Sequence, residues 1–130
     1  MDAFRKAVEA RDAAGVEALL ADDVVFHSPV AYKPYPGKPL VAAILRGALR
    51  VFEDFRYVRE ISGPDGRDHA LVFRATVRGK EVNGCDFLHL NDDGLIEDFT
   101  VMVRPLSGAN ALAEAMGAEF DRIQQEAAAG

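Results

Sequence analysis

The sequence predicts an α+β domain in which helices gather on one side of an antiparallel sheet. Three observations carry this. Between Phe55 and Arg104, apolar residues recur at every second position, and short Gly- and Asp-bearing turns separate the segments. Before and after that region, apolar residues recur three and four apart, as on a helix. Hydrophobic residues make up 49% of the 130, enough for one domain with a real core and too many for a disordered chain.

Asp2 can cap a first helix, with Phe4, Ala7, Val8 and Arg11 on one side and an end near Gly15. A short second helix, Val16 to Leu20, runs into Ala21-Asp22-Asp23, which suits a turn and cap. Val24 to His27 is a short strand. Ser28 to Gly37 holds three prolines, which excludes regular structure and predicts an ordered loop. Lys38 to Phe52 is the third helix, with Leu40, Ile44, Ala48 and Val51 on one face. Phe55 to Ser62 is a strand, and Gly63-Pro64-Asp65-Gly66 turns the chain. In the next strand Leu71, Phe73, Ala75 and Val77 point in, and Gly79-Lys80 turns it back. Two long strands follow, joined by Asn91-Asp92-Asp93-Gly94, whose Asp and Gly tolerate positive φ. Ser107 can start a last helix with Ala111, Leu112, Ala115, Met116 and Phe120 on its contact face, and a frayed tail is expected from Gln124.

Composition narrows the partners. Net charge is −6 and no basic stripe is visible, so no nucleic acid is expected. No apolar run is long enough to span a membrane, and residues 1–15 lack the apolar core of a signal peptide, so no membrane and a cytoplasmic location are expected. One cysteine and three histidines offer neither an internal disulfide nor a zinc-type cluster, and no metal or other cofactor is expected.

The chain resembles the NTF2-like superfamily, which includes SnoaL-like polyketide cyclases and ketosteroid isomerases. The resemblance covers nearly the whole chain and rests on Val16 to Phe26, the Pro29 loop, Gly37 opening a helix, and Asp86 to Ile96 with its Asp-Gly turn. It implies a curved antiparallel sheet, a cone, with three or four helices on its concave side, and a pocket between them. In the isomerases the Asp of the equivalent strand sits in the pocket and stays protonated. Asp86 matches that position. Two departures stand beside it: Ser28 occupies the place of the proton-transfer Asp before the loop proline, and Phe4 that of a Tyr donor. The resemblance therefore implies a pocket with an acid in it, and not that isomerase reaction.

The residues themselves single out Asp86. Gly84, Asp86, Leu88 and Leu90 share one strand face, and a carboxyl in line with leucines is the anomaly. In an apolar site its pKa rises and it can donate a hydrogen bond; otherwise it accepts from a Tyr or an amide and orders the sheet. Tyr57 is the plausible partner. His27, at the loop rim, can act as a general base or point to the outer face. His89 lies opposite Asp86 and can pair with Asp98; His69 sits in a turn. The expected catalytic residues are Asp86 and His27. Tyr32, Tyr57, Phe73, Leu88, Phe99 and Val101 are the expected ligand-binding set, under the first and third helices. The expected ligand is a small apolar molecule, handled by a cofactor-independent cyclase, isomerase or hydrolase, or held without catalysis. The uncovered sheet face, with Phe87, Met102 and Thr100, predicts a homodimer.

Overall fold

A computed structural model describes residues 1–129. The first helix, α1 (Asp2–Glu9), buries Phe4 and Ala7, one turn apart on its inner side. Met1, not Asp2, holds the N-cap position. The helix stops well before Gly15, because Arg11 adopts a positive φ of 56° and Asp12 starts a new one. That is α2 (Ala13–Glu17), which the Asp12 side chain caps by accepting from the Gly15 N–H at 3.0 Å. The strand β1 (Leu20–His27) therefore begins earlier than expected, and Asp22-Asp23 is an exposed irregularity inside it, not a turn before it. Within the proline loop, Tyr35–Pro36 forms a two-residue strand, β2, against Val25 and Phe26. Proline at such an edge costs no ladder bond.

Helix α3 (Lys38–Val51) opens behind Gly37. It is buried over a wider arc than its periodicity suggested, through Val41, Ala42, Ala43, Ile44 and Gly47, because it lies between the sheet and the last helix. Four long strands follow: β3 (Glu53–Ser62), β4 (Asp68–Val77), β5 (Lys80–Leu90) and β6 (Ile96–Arg104). The β4–β5 turn is centred on Arg78-Gly79, both at positive φ, as a two-residue hairpin requires. The β5–β6 turn is closed by Asn91, whose Oδ1 accepts from the N–H groups of Asp93 and Leu95.

The sheet has six strands in the order β2-β1-β6-β5-β4-β3. It is antiparallel except where β1 runs parallel to β6. It curves without closing, with the four helices on its concave side, as expected for an NTF2-like cone. The last helix, α4 (Leu106–Ala129), does not fray at Gln124. Ile123 packs into the space that Gly47 leaves on α3, where an added Cβ would lie 2.7 Å from its Cδ1. Glu126 accepts from Arg46 at 3.1 Å and from Arg50 at 2.8 Å, and Glu119 accepts from Arg50 at 2.5 Å. These contacts tie α4 along α3 and explain why its end stays helical.

Candidate functional site

Sheet, helices and proline loop enclose an apolar cavity of about 500 Å³. Its sheet side carries Phe26, Phe55, Tyr57, Phe73, Asp86, Phe99 and Val101. Phe4 from α1, Leu45 and Ala48 from α3, and Met116 and Phe120 from α4 close it on the other. The strand alternation read from the sequence decides this: Leu71, Phe73 and Ala75 on β4 and Gly84, Asp86 and Leu88 on β5 all point inward. Gly84 is needed for one contact. A Cβ there would meet the Phe73 ring at 2.2 Å, so the ring fills the space beside Asp86 that the glycine vacates.

Asp86 is the one polar or charged residue in the buried interior of the described residues, at 6% exposure. It pairs with Leu71 on β4 and Val101 on β6, so apolar side chains flank it on both strands. The Tyr57 hydroxyl, reaching across from β3, donates to Asp86 Oδ2 at 2.6 Å. Burial pushes the Asp86 carboxyl up to about 7, while the hydrogen bond from Tyr57 holds it lower than burial alone would. Burial, and then the charge of Asp86, pushes the Tyr57 phenol well above its usual range. Tyr57 is thus the fixed donor, and Asp86 is the group that gains or loses a proton near neutrality. Among the described residues no cation reaches Asp86. Arg59 and Arg104, the nearest candidates by sequence, pair with Val72 and Asn83 on the opposite face.

The other expected site residues divide. Tyr57, Phe73, Phe99 and Val101 line the cavity with Asp86. Leu88 is buried one inward position further along β5, but in the core beyond the cavity. Tyr32 is fully exposed; the loop turns so that Pro29, Val30, Ala31 and Tyr35 face inward and Tyr32 faces out. Tyr35 holds the mouth instead, its ring 6.3 Å from that of Phe120. His27 is not brought to Asp86. Phe26 and Ser28 face the cavity, so the residue between them faces away, and its Nε2 lies 3.2 Å from Asp98 Oδ2. Asp98 is therefore taken by His27, and His89 pairs with Asp68 at 2.7 Å. His69 accompanies Ser62 at 2.7 Å.

Sequence reasoning missed the polar end of the cavity, where Glu9, Arg11 and Asp54 line it. Glu9 is engaged by the Tyr57 N–H and by Arg5, and Arg11 caps α3 through the carbonyls of Leu49 and Phe52. The Asp54 carboxylate has no hydrogen-bond or ion-pair partner among the described residues, and its backbone holds a positive φ of 52°. Its only signal in the sequence is an Asp between the third helix and the strand that carries Tyr57. No group of three or more His, Cys, Asp or Glu side chains that could hold a metal occurs among the described residues.

An open α+β cone around an apolar cavity is the NTF2-like arrangement. The SnoaL-like domain model matches residues 1–99, and the chain belongs to the SnoaL-like domain family. It is similar to a steroid delta-isomerase from Pseudomonas aeruginosa: 45% identity, 94% of this chain and 89% of that one covered, and a TM-score of 0.88. It is also similar to an uncharacterised bacterial protein with a cystatin-like fold from Silicibacter pomeroyi, at 36% identity, with 96% and 92% covered and a TM-score of 0.86. An NTF2-like protein of unknown function from Cytophaga hutchinsonii shares the fold, at 19% identity, with 81% and 87% covered and a TM-score of 0.63. No curated protein matches. No helix among the described residues is long and apolar enough to cross a membrane.

Proposed function

We propose that the cavity binds a small, largely apolar molecule bearing a carbonyl group, and that Asp86 donates a hydrogen bond to that oxygen. The observation that carries this is the division of labour on Asp86. Oδ2 accepts from Tyr57, Oδ1 has no partner among the described residues, and the carboxyl titrates near neutrality inside an apolar wall. A protonated Oδ1 is a donor waiting for an acceptor, and a carbonyl supplies one without the desolvation cost of a charged ligand. The cavity volume of about 500 Å³ suits a small molecule.

The chemistry this supports is cofactor-independent proton transfer beside the carbonyl, as in a cyclase or isomerase. Asp86 would stabilise the enolate oxygen, and Asp54, the uncommitted carboxylate on the same cavity, would accept the proton from carbon. The likeness to a steroid delta-isomerase favours this class. Ser28 before Pro29 and Phe4 on α1 favour a second reading, binding without turnover, since a serine hydroxyl is no general base near neutral pH and a phenylalanine has no hydroxyl to donate. The half-buried single thiol, Cys85, fits a reducing compartment, and we place the protein in the cytoplasm. We also propose that two copies associate through the open sheet face, where Val58, Ile61, Phe87 and Met102 stand exposed.

Titration with a small planar phenol, an enolate mimic, tests the binding. Asp86→Asn, which keeps a donor, should retain it, and Asp86→Ala should weaken it roughly tenfold or more. Equal binding by the Ala variant would remove Asp86 from the site. Turnover of a β,γ-unsaturated ketone that Asp54→Asn abolishes would decide for catalysis. Binding with no turnover would decide for the second reading.

A further inference from the structure

Four glycines lie within helices among the described residues: Gly15, Gly47, Gly108 and Gly117. Glycine inside a helix costs stability relative to alanine, so each needs a physical reason. Three find it in packing. A Cβ on Gly15 would meet Asp12 Oδ2 at 2.5 Å, one on Gly47 would meet Ile123 Cδ1 at 2.7 Å, and one on Gly108 would meet the Glu81 carbonyl oxygen at 2.9 Å. Gly117, in the middle of α4, differs. A Cβ added there meets nothing within 4 Å, and its φ is not positive. Neither close approach nor backbone conformation accounts for it. What a missing side chain still supplies is open space, and Gly117 is an exposed residue on the wall of the cavity.

Six of the cavity's lining residues are exposed, and they divide by character. Glu9, Arg11 and Asp54 are charged, and sit where α1 ends and β3 begins. Val30, Ala113 and Gly117 are not, and come from the proline loop and α4. Ala113, Gly117 and Phe120 follow four and three residues apart, so they share one side of the helix. That side faces the loop, because the Phe120 ring lies 6.3 Å from the ring of Tyr35. Another side of α4 faces α3, through Glu119 and Glu126 on Arg50. The lining residues of the loop and of α4 include no charged side chain.

We infer that an apolar ligand enters between α4 and the proline loop, and that Gly117 holds this entrance open and sets the width of what passes. This rests on the proposal that the cavity binds such a molecule, and it adds the route and the residue that controls it. The charged side is the costlier way in. A largely apolar molecule crossing it strips water from Glu9, Arg11 and Asp54. The Arg11 guanidinium is also held across the end of α3 by the carbonyls of Leu49 and Phe52. The loop side asks for no such dehydration. A side chain at position 117 would stand in the gap beside Ala113, at the one place on that rim where the helix presents only backbone.

Two substitutions at this position test the entrance, with 2-naphthol, a flat fluorescent phenol, as the probe in stopped-flow mixing. Gly117→Leu should slow association and dissociation alike, each roughly tenfold, and so leave Kd within about a factor of three. A side chain in a doorway changes both rates together, whereas one inside the chamber changes affinity. Gly117→Ala should raise Tm by about 3–5 °C, since the helix gains and nothing is displaced. Unchanged association in the leucine variant would put entry on the charged side and overturn the inference. So would weaker binding at an unaltered association rate, or a lower Tm for the alanine variant, which would give Gly117 a role in the fold. An unaltered chain that takes up no 2-naphthol would instead remove the binding proposal itself, and the entrance with it.

Discussion

The Tyr57 hydroxyl and Asp86 Oδ2 stand 2.6 Å apart across the width of β4, inside the apolar wall of the cavity. The pair joins two strands that are not neighbours, so it holds the curvature of the sheet as well as a proton. It also decides which group titrates: the phenol is driven up by burial and by Asp86, and keeps its hydrogen.

Asp86→Asn should stabilise the fold above pH 5 and leave it unchanged in acid. The carboxyl is raised from its ordinary 3.8 to about 7, so between those values the folded chain holds a proton that the unfolded chain has released. Stability therefore falls as pH rises through that window and levels off above it. The asparagine variant lacks the fall, and at pH 8 the gain should be on the order of 4 kcal/mol. Urea unfolding at pH 4, 6 and 8 measures it, and parallel profiles for the two proteins would show that Asp86 has an ordinary pKa.

Tyr57→Phe removes the one hydrogen bond that favours the charged acid, so the Asp86 pKa should climb further. Carboxyl titration by NMR follows the midpoint directly; a lower midpoint in the variant would mean another donor takes over. The fold should lose about 1 kcal/mol near neutral pH, the net worth of one hydrogen bond.

Gly84→Ala should destabilise the protein by about 1–3 kcal/mol, the usual cost of overpacking. The new methyl group meets the Phe73 ring at 2.2 Å, and that ring is held by stacking on Phe55 with centroids 4.7 Å apart. Denaturant midpoints for the two proteins give the difference, and an unchanged midpoint would show that the ring can move aside.

Glu126→Gln should loosen the end of α4 without unfolding the sheet. Glu126 is the acceptor shared by Arg46 and Arg50. Amides of residues 119–129 should exchange with solvent faster, while those of β4 and β5 keep their protection. Uniform protection would mean that the packing of Ile123 on Gly47 suffices.

Much of this was legible in the sequence because strands alternate strictly. A carboxyl among leucines on β5 had to point where they point, and Tyr57, in step with Phe55, had to face it. Long-range partners left no such trace. His89 was matched to Asp98 because the hairpin puts them opposite, but β1 lies along the far side of β6 and brings His27 to Asp98 first. The expected cavity stopped at the first and third helices. Nothing local says that α4 folds back on α3, a contact that rests on one glycine and two arginines. Tyr32 was expected among the ligand-binding residues, but it faces outward and Tyr35 lines the cavity, a difference set by the path of a loop whose prolines fix local shape without fixing its direction.

The placement of α4 has a consequence for how such proteins diverge. The match to the SnoaL-like domain model spans residues 1–99, and Leu112, Met116, Phe120 and Ile123, all on the cavity, lie beyond it. The acid and its tyrosine lie within the matched stretch, and one wall of the chamber lies outside it. Exchanging side chains on that helix would resize the chamber while leaving the acid untouched. Two chains can then share the matched stretch and its buried acid, yet enclose chambers of different length.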